Sequence, residues 1–159
     1  KGIKMKTAIV ISDSHGNLRA IRKLYEIMEE SDYVFHLGDY RRDIAEFEER
    51  FPEKVYSVYG NCDGYSGEGE VTIEGVKVFY THGHDYGVKQ SLYGLYSHAK
   101  AIGAEVVLYG HTHIKAVDTK DNIKFVNPGT LKEYSPCKLS YAYIVFDKGK
   151  AYETLVDLY

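Results

Sequence analysis

The stretch KTAIVISDSHGN, residues 6–17, joins a short β-branched run to a polar turn that contains a glycine. Lys6–Ile11 is typical of a buried strand in an α/β protein, where both faces of the sheet are covered. Asn17 suits a helix N-cap, because apolar residues recur at helical spacing directly after it. The stretch therefore predicts a strand, a loop that carries Asp13 and His15, and a helix.

The rest of the chain alternates predicted strands and helices and then becomes rich in strands. The predicted helices cover Leu18–Glu30, Asp43–Arg50 and Val88–Ile102, the last ending at Gly103. The further predicted strands cover Tyr33–Leu37, Val55–Val58, Glu70–Glu74, Lys77–Thr81, Glu105–Tyr109, Lys115–Thr119, Ile123–Val126, Leu139–Phe146 and Ala151–Asp157. A β-α-β-α-β start followed by antiparallel strands implies an α/β fold with two sheets packed face to face and helices outside.

Length and composition fit one globular domain over residues 1–159. The 20 basic and 23 acidic residues give a net charge of −3, which argues against non-specific nucleic-acid binding because such binding needs basic patches. Cys62 and Cys137 are the only cysteines and have no metal-finger spacing. No apolar run is long enough to span a membrane, so we expect a cytoplasmic protein. Residues 1–4, before Met5, would be a remnant of cloning or an alternative start.

Acidic, amide and imidazole side chains follow five of the predicted strands at their carboxyl ends. The segments are Asp13–His15, Gly38–Asp39, Gly60–Asp63, Thr81–His84 and Gly110–His113, and they hold five of the seven histidines. Each segment alone also fits an ordinary turn or cap. Ligands bind at the carboxyl ends of strands in open α/β sheets, so the five segments together predict a metal site.

The donor types indicate which metals the site would hold. Carboxylate, imidazole and amide oxygen without thiolate suit Mn²⁺, Ni²⁺, Fe or Zn²⁺ in a catalytic setting. The donors are too many for one ion, so we expect two ions about 3.5–4 Å apart, bridged by one carboxylate. Such a pair would clamp a phosphoryl group and direct a bridging hydroxide in line at phosphorus. The pattern therefore predicts phosphoester hydrolysis.

In this order, the motifs Asp-x-His, Gly-Asp, Gly-Asn-x-Asp, Gly-His and Gly-His-x-His resemble the calcineurin-like metallophosphoesterase superfamily. The length of the chain and the segment Asn127–Thr130 are similar to the small YfcE-type phosphodiesterase branch. The resemblance runs from about Lys6 to Thr130, and the final hairpins also match. It implies a four-layer α/β/β/α sandwich of two mixed sheets with flanking helices, and a metal-dependent phosphodiesterase that uses two divalent ions, with Mn²⁺ as the first choice.

The resemblance also implies the ligands of each ion. The first ion would be bound by Asp13, His15 and His113, the second by Asn61, His82 and His111, and both by Asp39. Of the two histidines in Thr81–His84, it places the ligand at His82. His84 would then face the substrate or lie behind the ligands.

The expected catalytic residues are His84, Asn61, Cys62 and Asp63. Cys62 stands where much of the superfamily has a histidine that contacts the phosphate and assists the leaving group, although the YfcE-type branch shows the same cysteine. A thiol is a weak hydrogen-bond donor, so the general acid for the leaving group is left open. Asp63, which would normally orient that histidine, could here be mainly structural.

Tyr40 and Arg41 follow the predicted bridging aspartate and are the expected substrate-binding residues. Arg41 could steer a phosphate, but it could equally belong to a solvated pair with Arg42. Tyr40, Tyr65 and Tyr86 fall near motif loops and could stack on a base or an aryl group. Of the two remaining histidines, His36 is expected in the core or behind the ligands, and His98 is expected to face solvent.

Two rival functions remain beside hydrolysis of a small phosphodiester. A binding scaffold is one, since a retromer subunit resembles this fold; here all the ligand types are present, which favours catalysis. A nuclease is the other, but DNA-repair relatives add basic surfaces and extra domains that this acidic chain lacks. We therefore expect a small phosphodiester substrate and neither a membrane nor a nucleic-acid partner, with a homodimer left open.

Overall fold

Across residues 5–159, the part of the chain that the computed structural model describes, ten strands form two five-stranded mixed sheets. The first sheet contains, in spatial order, β10 (Lys150–Asp157), β9 (Ser140–Asp147), β1 (Lys6–Ile11), β2 (Tyr33–His36) and β3 (Val55–Ser57). The second contains β4 (Glu68–Ile73), β5 (Val76–Thr81), β6 (Val106–Leu108), β8 (Ile123–Asn127) and β7 (Ala116–Lys120). The prediction for residues 1–4 lies outside the described residues.

The strands whose carboxyl ends carry the polar motifs are parallel to one another within each sheet. In the first sheet β1, β2 and β3 are parallel. In the second, β5 and β6 are parallel and β8 continues the parallel set. Their motif loops therefore emerge at the same edge of each sheet, as the sequence predicts.

The described α-helices are α1 (Leu18–Lys23), α2 (Tyr25–Glu30), α3 (Ala45–Arg50) and α4 (Tyr93–Ile102). Short 3-10 turns cover Arg41–Ile44, Asn61–Asp63 and His84–Tyr86. None of the helices within residues 5–159 is long and apolar enough to cross a membrane.

Three apolar clusters hold the layers together, and β1 shows why. Its successive side chains point to opposite faces, so Ala8 and Val10 pack between the two sheets while Ile9 and Ile11 pack under α1, α2 and α3. On the other side of the molecule, Leu95 of α4 packs on the outer face of the second sheet. This arrangement confirms the predicted four-layer α/β/β/α sandwich.

The predicted helix over Leu18–Glu30 is divided at Leu24 into α1 and α2. The Leu24 N–H bonds to the carbonyl of Ile21, three residues back, so the backbone tightens there while Leu24 stays buried. Asn17 caps α1 as predicted, since its side-chain oxygen accepts the Ala20 N–H at 3.1 Å.

The predicted helix over Val88–Ile102 begins five residues later, at Tyr93. Val88 is apolar for a different reason: it is buried beside Gly83 in the loop before the helix. The C-terminal boundary is right, because Gly103 adopts the left-handed conformation, with φ 75°, that ends a helix.

Glycines let the motif loops approach one another closely. A Cβ on Gly110 would collide with Ser12 Oγ and would lie 2.8 Å from Asp13 Oδ2. A Cβ on Gly38 would lie 2.6 Å from the backbone nitrogen of Gly60. The loops therefore meet with no room for a side chain between them.

This contact predicts that Gly110→Ala destabilises the protein by about 1–3 kcal/mol, because the added methyl group must displace the Asp13 loop. Gly67→Ala is the matched control, since a Cβ there has no neighbour closer than 3.9 Å. Urea denaturation of both variants without metal measures the difference. Equal free energies of unfolding would show that the Asp13 loop moves aside at no cost.

Candidate metal centre

Most of the predicted ligands sit in an unusual backbone conformation. Positive φ angles of 46–73° occur at Asp13, His15, Asp39, His111 and His113. Residues other than glycine rarely adopt this left-handed conformation, and such strain concentrates at functional sites. The loops after β1, β2 and β6 thus hold a backbone conformation that is unfavourable for their non-glycine residues.

Hydrogen bonds between loops hold this shape in place. The Asp13 N–H donates to the carbonyl of Gly38 at 2.9 Å, which joins the loops after β1 and β2. The Asp13 carbonyl accepts from Thr130 Oγ1 at 2.8 Å and from the Leu131 N–H at 3.2 Å. The Gly110 N–H donates to the carbonyl of His82 at 2.8 Å, which joins the loops after β5 and β6.

The first donor group consists of Asp13, His15, Asp39 and His113, whose ligand atoms all lie within 4.8 Å of one another. Asp13 Oδ1 is 3.3 Å from His113 Nε2, and Asp39 Oδ2 is 3.5 Å from His15 Nε2. Asp13 Oδ1 and His15 Nε2 are buried without a hydrogen-bond partner among the described residues. A buried polar atom without a partner is costly, so a cation at this point fits the group.

The second donor group consists of Asp39, His82 and His111, again within 4.8 Å. His82 Nε2 lies 3.5 Å from Asp39 Oδ2 and 3.2 Å from His111 Nδ1. His82 is fully buried, and its Nδ1 donates to the carbonyl of Leu37 at 2.8 Å. Histidines that bind metals commonly use one ring nitrogen for such a bond and present the other to the ion.

Each of the two buried carboxylates has one oxygen engaged by the protein. Asp13 Oδ2 accepts from Ser12 Oγ at 2.6 Å and from the His111 N–H at 3.0 Å. Asp39 Oδ1 accepts from the Cys62 N–H at 2.8 Å. The other oxygens, Asp13 Oδ1 and Asp39 Oδ2, face the imidazoles, and Asp39 Oδ2 faces one imidazole of each group.

The electrostatics keep the Asp39 carboxylate ionised. Burial opposes the charge on Asp39, but the hydrogen bond and charge of His82 and the Cys62 N–H outweigh it and hold its pKa well below the usual range. Burial also opposes the charge on His82, yet Asp39 and Asp13 raise its pKa. Burial lowers the pKa of His15 and of His111. An ionised Asp39 beside the neutral imidazoles of His15 and His111 suits cation binding, and His82 would have to release its proton when a cation binds.

Asp63 joins the loops after β2 and β3. Its Oδ2 accepts the N–H groups of Gly60 at 2.8 Å and Asp39 at 2.9 Å. Its Oδ1 accepts those of Tyr40 at 2.8 Å and Arg41 at 3.2 Å. Four charge-assisted bonds to backbone make this carboxylate a clamp on the Asp39 loop, the structural alternative that the sequence left open.

Asn61 and Cys62 lie exposed in the turn Asn61–Asp63. The Asn61 side-chain nitrogen is 3.9 Å from Cys62 Sγ, and the Cys62 N–H bond to Asp39 places the turn beside the second donor group. Burial and the neighbouring Asp39 carboxylate raise the pKa of the Cys62 thiol, so it stays protonated.

His84 lies next to the second donor group without belonging to it. Its ring centroid is 5.4 Å from that of His82 and 6.1 Å from that of His111. Its Nδ1 is buried without a partner in the described chain, and its Nε2 lies 3.5 Å from an Asp85 oxygen.

The two expected substrate-binding residues occupy different places. The Tyr40 ring lies 5.2 Å from the His15 ring, beside the first donor group, and the Arg42 guanidinium carbon lies 4.2 Å from its centroid. The Arg41 side chain is instead engaged with Ser57, to which its Nε donates at 2.7 Å, and with Glu48 at 3.7 Å.

A polar network under the Asp13 loop was missed by sequence reasoning. Ser14 Oγ donates to Asp43 Oδ2 at 2.7 Å and accepts from His36 Nε2 at 2.9 Å. The other His36 nitrogen accepts the Gly38 N–H at 3.1 Å, and His36 is fully buried as predicted. The only signal in the sequence was the position of Ser14 between Asp13 and His15.

The prediction that His98 faces solvent is wrong. Its ring packs 4.8 Å from the Phe79 ring and 5.5 Å from the Tyr86 ring, and its side chain is 31% exposed. The reason is that α4 lies against β5, so a position on the helix flank is covered by aromatic residues from the sheet and the adjoining loop.

Comparison with known proteins gives consistent matches. Residues 5–149 match the model of the calcineurin-like phosphoesterase superfamily domain. The "Probable metallophosphoesterase YsnB" of Bacillus subtilis is 36% identical over 132 residues, which cover 78% of this chain and 74% of the relative. A phosphodiesterase of Methanocaldococcus jannaschii is 32% identical, with 76% and 81% covered. A crystal structure from Streptococcus pneumoniae, described as a predicted phosphoesterase, superposes with a TM-score of 0.81 at 26% identity and covers 98% of this chain and 91% of its own.

The burial of His36 predicts acid sensitivity of the fold. Burial lowers the pKa of His36 from 6.5 to about 4. The negative charges of Asp43, Asp13 and Asp63 oppose this change, whereas the charge of His82 adds to it. The folded state thus binds this proton less readily than the unfolded state. The stabilisation is present above pH 6.5 and is lost as the pH falls towards 4, by about 3 kcal/mol in total.

His36→Gln should flatten this dependence, because its amide keeps hydrogen-bonding groups but does not titrate. Urea denaturation of both proteins with chelator, between pH 7 and pH 4, measures the change in the free energy of unfolding. Parallel curves would show that His36 does not control the acid limb.

Proposed function

The chain belongs to the calcineurin-like phosphoesterase superfamily, and we propose that within this family of hydrolases it is a phosphodiesterase that uses two divalent cations. The observation that carries the proposal is the position of Asp39. One of its oxygens faces His15 in the first donor group and His82 in the second, at 3.5 Å from each ring nitrogen. A carboxylate shared by two donor groups is what a dinuclear centre requires.

In the proposed centre, one cation is held by Asp13, His15 and His113, the other by Asn61, His82 and His111, and both by Asp39. The unpartnered buried atoms of Asp13 and His15 support the first position. The Leu37 bond that fixes the His82 ring supports the second. Mn²⁺ is the first candidate, with Ni²⁺, Fe and Zn²⁺ as alternatives, because the donors are oxygen and nitrogen without thiolate.

When bound, two such cations supply positive charge for the phosphoryl oxygens and a hydroxide for in-line attack at neutral pH. The residues of the chain prepare this chemistry by position. Asp63 fixes the loop that carries Asp39 through four backbone bonds. His84, with an unpartnered nitrogen beside the second donor group, is proposed to face the substrate. Tyr40 is the proposed substrate-contacting residue, whereas Arg41, held by Ser57 and Glu48, would act on the substrate side only as a support.

A small phosphodiester is the proposed substrate. The net charge of −3 disfavours a long polyanion, which would be repelled unless a basic surface received it. A cytoplasmic location belongs to the same proposal, in keeping with two cysteines that are both unpaired within residues 5–159.

The first test of the proposal removes the negative charge of Asp39, the carboxylate that both donor groups share. Asp39→Asn should weaken both metal positions and lower the hydrolysis of bis(p-nitrophenyl) phosphate by about 100-fold or more. Metal analysis after Mn²⁺ loading, together with initial rates, measures both effects. Asp118→Asn, at an exposed site on β7, is the matched control and should behave like the unmodified protein. Two full equivalents of metal and normal turnover in Asp39→Asn would overturn the proposal.

A second test follows from Cys62. A general acid at the leaving oxygen contributes about 10²–10⁴-fold, and poor leaving groups need it most. Since a thiol donates weakly, rates should fall steeply as the pKa of the leaving group rises, and Cys62→His should make that slope shallower. Cys62→Ser, which adds no imidazole, should keep the steep slope.

Initial rates on a series of aryl and alkyl diesters give these slopes. A flat dependence in the unmodified enzyme would contradict the expectation and would show that an effective acid is already present. His84→Gln should then turn the flat dependence into a steep one.

A further inference from the structure

Two exposed tyrosines flank the turn Asn61–Asp63. Tyr59 comes two residues before the turn and is 40% exposed, while Tyr65 comes two residues after it and is 68% exposed. Their ring centroids are 5.1 Å apart, with the planes tilted by 52°. The pair therefore presents aromatic surface to solvent, most of it from Tyr65. Exposed apolar surface of this kind commonly marks a binding site.

Arg41 fixes the inner member of the pair. Its guanidinium carbon lies 5.0 Å from the centroid of the Tyr59 ring, a cation–π contact. The same guanidinium is held by Ser57 and Glu48, so it cannot swing away freely. Tyr59 is thus held between Arg41 and the Tyr65 ring, and the more exposed Tyr65 offers the open aromatic surface. A support that is already ordered lowers the entropy cost of binding a ring on that surface.

The tyrosine pair is joined directly to the proposed metal centre. The turn between the two tyrosines donates the Cys62 N–H to Asp39 Oδ1 at 2.8 Å. Asp63, the last residue of the turn, holds the Asp39 N–H at 2.9 Å. Asn61 and Cys62, which lie between the two tyrosines in the sequence, are exposed, so the surface of the turn is open to a ligand.

From this geometry we propose that Tyr59 and Tyr65, supported by Arg41, form a stacking subsite for a flat ring attached to the scissile phosphate. The inference rests on the proposed phosphodiesterase function and narrows its substrate class to esters in which one alcohol carries a flat ring, either a nucleoside or a phenol. Arg41 then acts through Tyr59 as a positioning residue. Stacking recognises any flat ring, because every base has a π-face, so the subsite selects aromatic esters without selecting one base.

Binding of three phosphate monoesters to the Mn²⁺-loaded protein tests the subsite. AMP and phenyl phosphate carry a ring, whereas ribose 5-phosphate offers the same phosphate group without one, so the contribution of the metal centre is closely matched. Isothermal titration should give dissociation constants about tenfold lower for a ligand with a ring than for ribose 5-phosphate. A preference for AMP over phenyl phosphate would identify a nucleoside as the source of the ring, and equal affinities would identify a simple aryl group.

Variants separate stacking from other effects. Tyr65→Ala should remove the advantage of the ring, and Tyr65→Phe should keep it. Tyr152→Ala is the matched control, since Tyr152 is 55% exposed on β10, outside the motif loops. The inference is overturned if ribose 5-phosphate binds as tightly as the two ring-bearing ligands, or if the advantage of the ring survives both Tyr59→Ala and Tyr65→Ala.

The hydrolysis of bis(p-nitrophenyl) phosphate by the same Mn²⁺-loaded sample distinguishes the two levels of the proposal. Hydrolysis without any preference for a ring would sink the subsite alone. Absence of both hydrolysis and binding of all three ligands would overturn the subsite together with the proposed function.

Discussion

The burial of two carboxylates at the edge of the sheets is the constraint on which the site depends. Asp13 is fully buried and Asp39 is 3% exposed, and a buried negative charge is very costly unless donors or cations compensate it. The protein satisfies one oxygen of each with N–H and hydroxyl groups and turns the other towards imidazoles. Asp13 Oδ1 has no hydrogen-bond partner within the described chain and Asp39 Oδ2 faces one imidazole of each donor group, so a cation at this point would complete the compensation.

The topology brings these charges together without a dedicated domain. Parallel strands in both sheets end at the same edge, and backbone bonds such as Asp13 N–H to Gly38 tie one loop to the next. Left-handed residues and glycines make this close approach possible, since a Cβ on Gly110 would fill the space that the Asp13 loop occupies. The site is therefore rigid because backbone meets backbone at several points, and its side chains inherit that rigidity.

The recurring pattern of a strand followed by a polar motif could be predicted from the sequence. Features that depend on contacts between residues far apart in the sequence could not. β-Branched residues followed by Asp13 and His15 predicted strand β1 and the polar motif after it. The start of α4 was misplaced because Val88 is a buried residue of the preceding loop. The spacing of apolar residues alone cannot distinguish such a residue from the first turn of a helix. The environment of His98 was misjudged for a similar reason, since only the tertiary structure shows that Phe79 and Tyr86 cover it.

Cys62, in the turn after β3, links these observations to the proposed function. Both oxygens of Asp63 accept hydrogen bonds from four backbone N–H groups in total, so this carboxylate maintains the shape of the Asp39 loop. The protonated thiol of Cys62 is a weak donor and a small side chain, so it leaves the surface beside Asp39 open. If the turn gives the leaving group little assistance, the proposed enzyme should favour esters of acidic alcohols, because these need less protonation. Phenols are acidic alcohols of this kind, and the exposed Tyr59 and Tyr65 on either side of the turn offer the aromatic surface that would hold their esters.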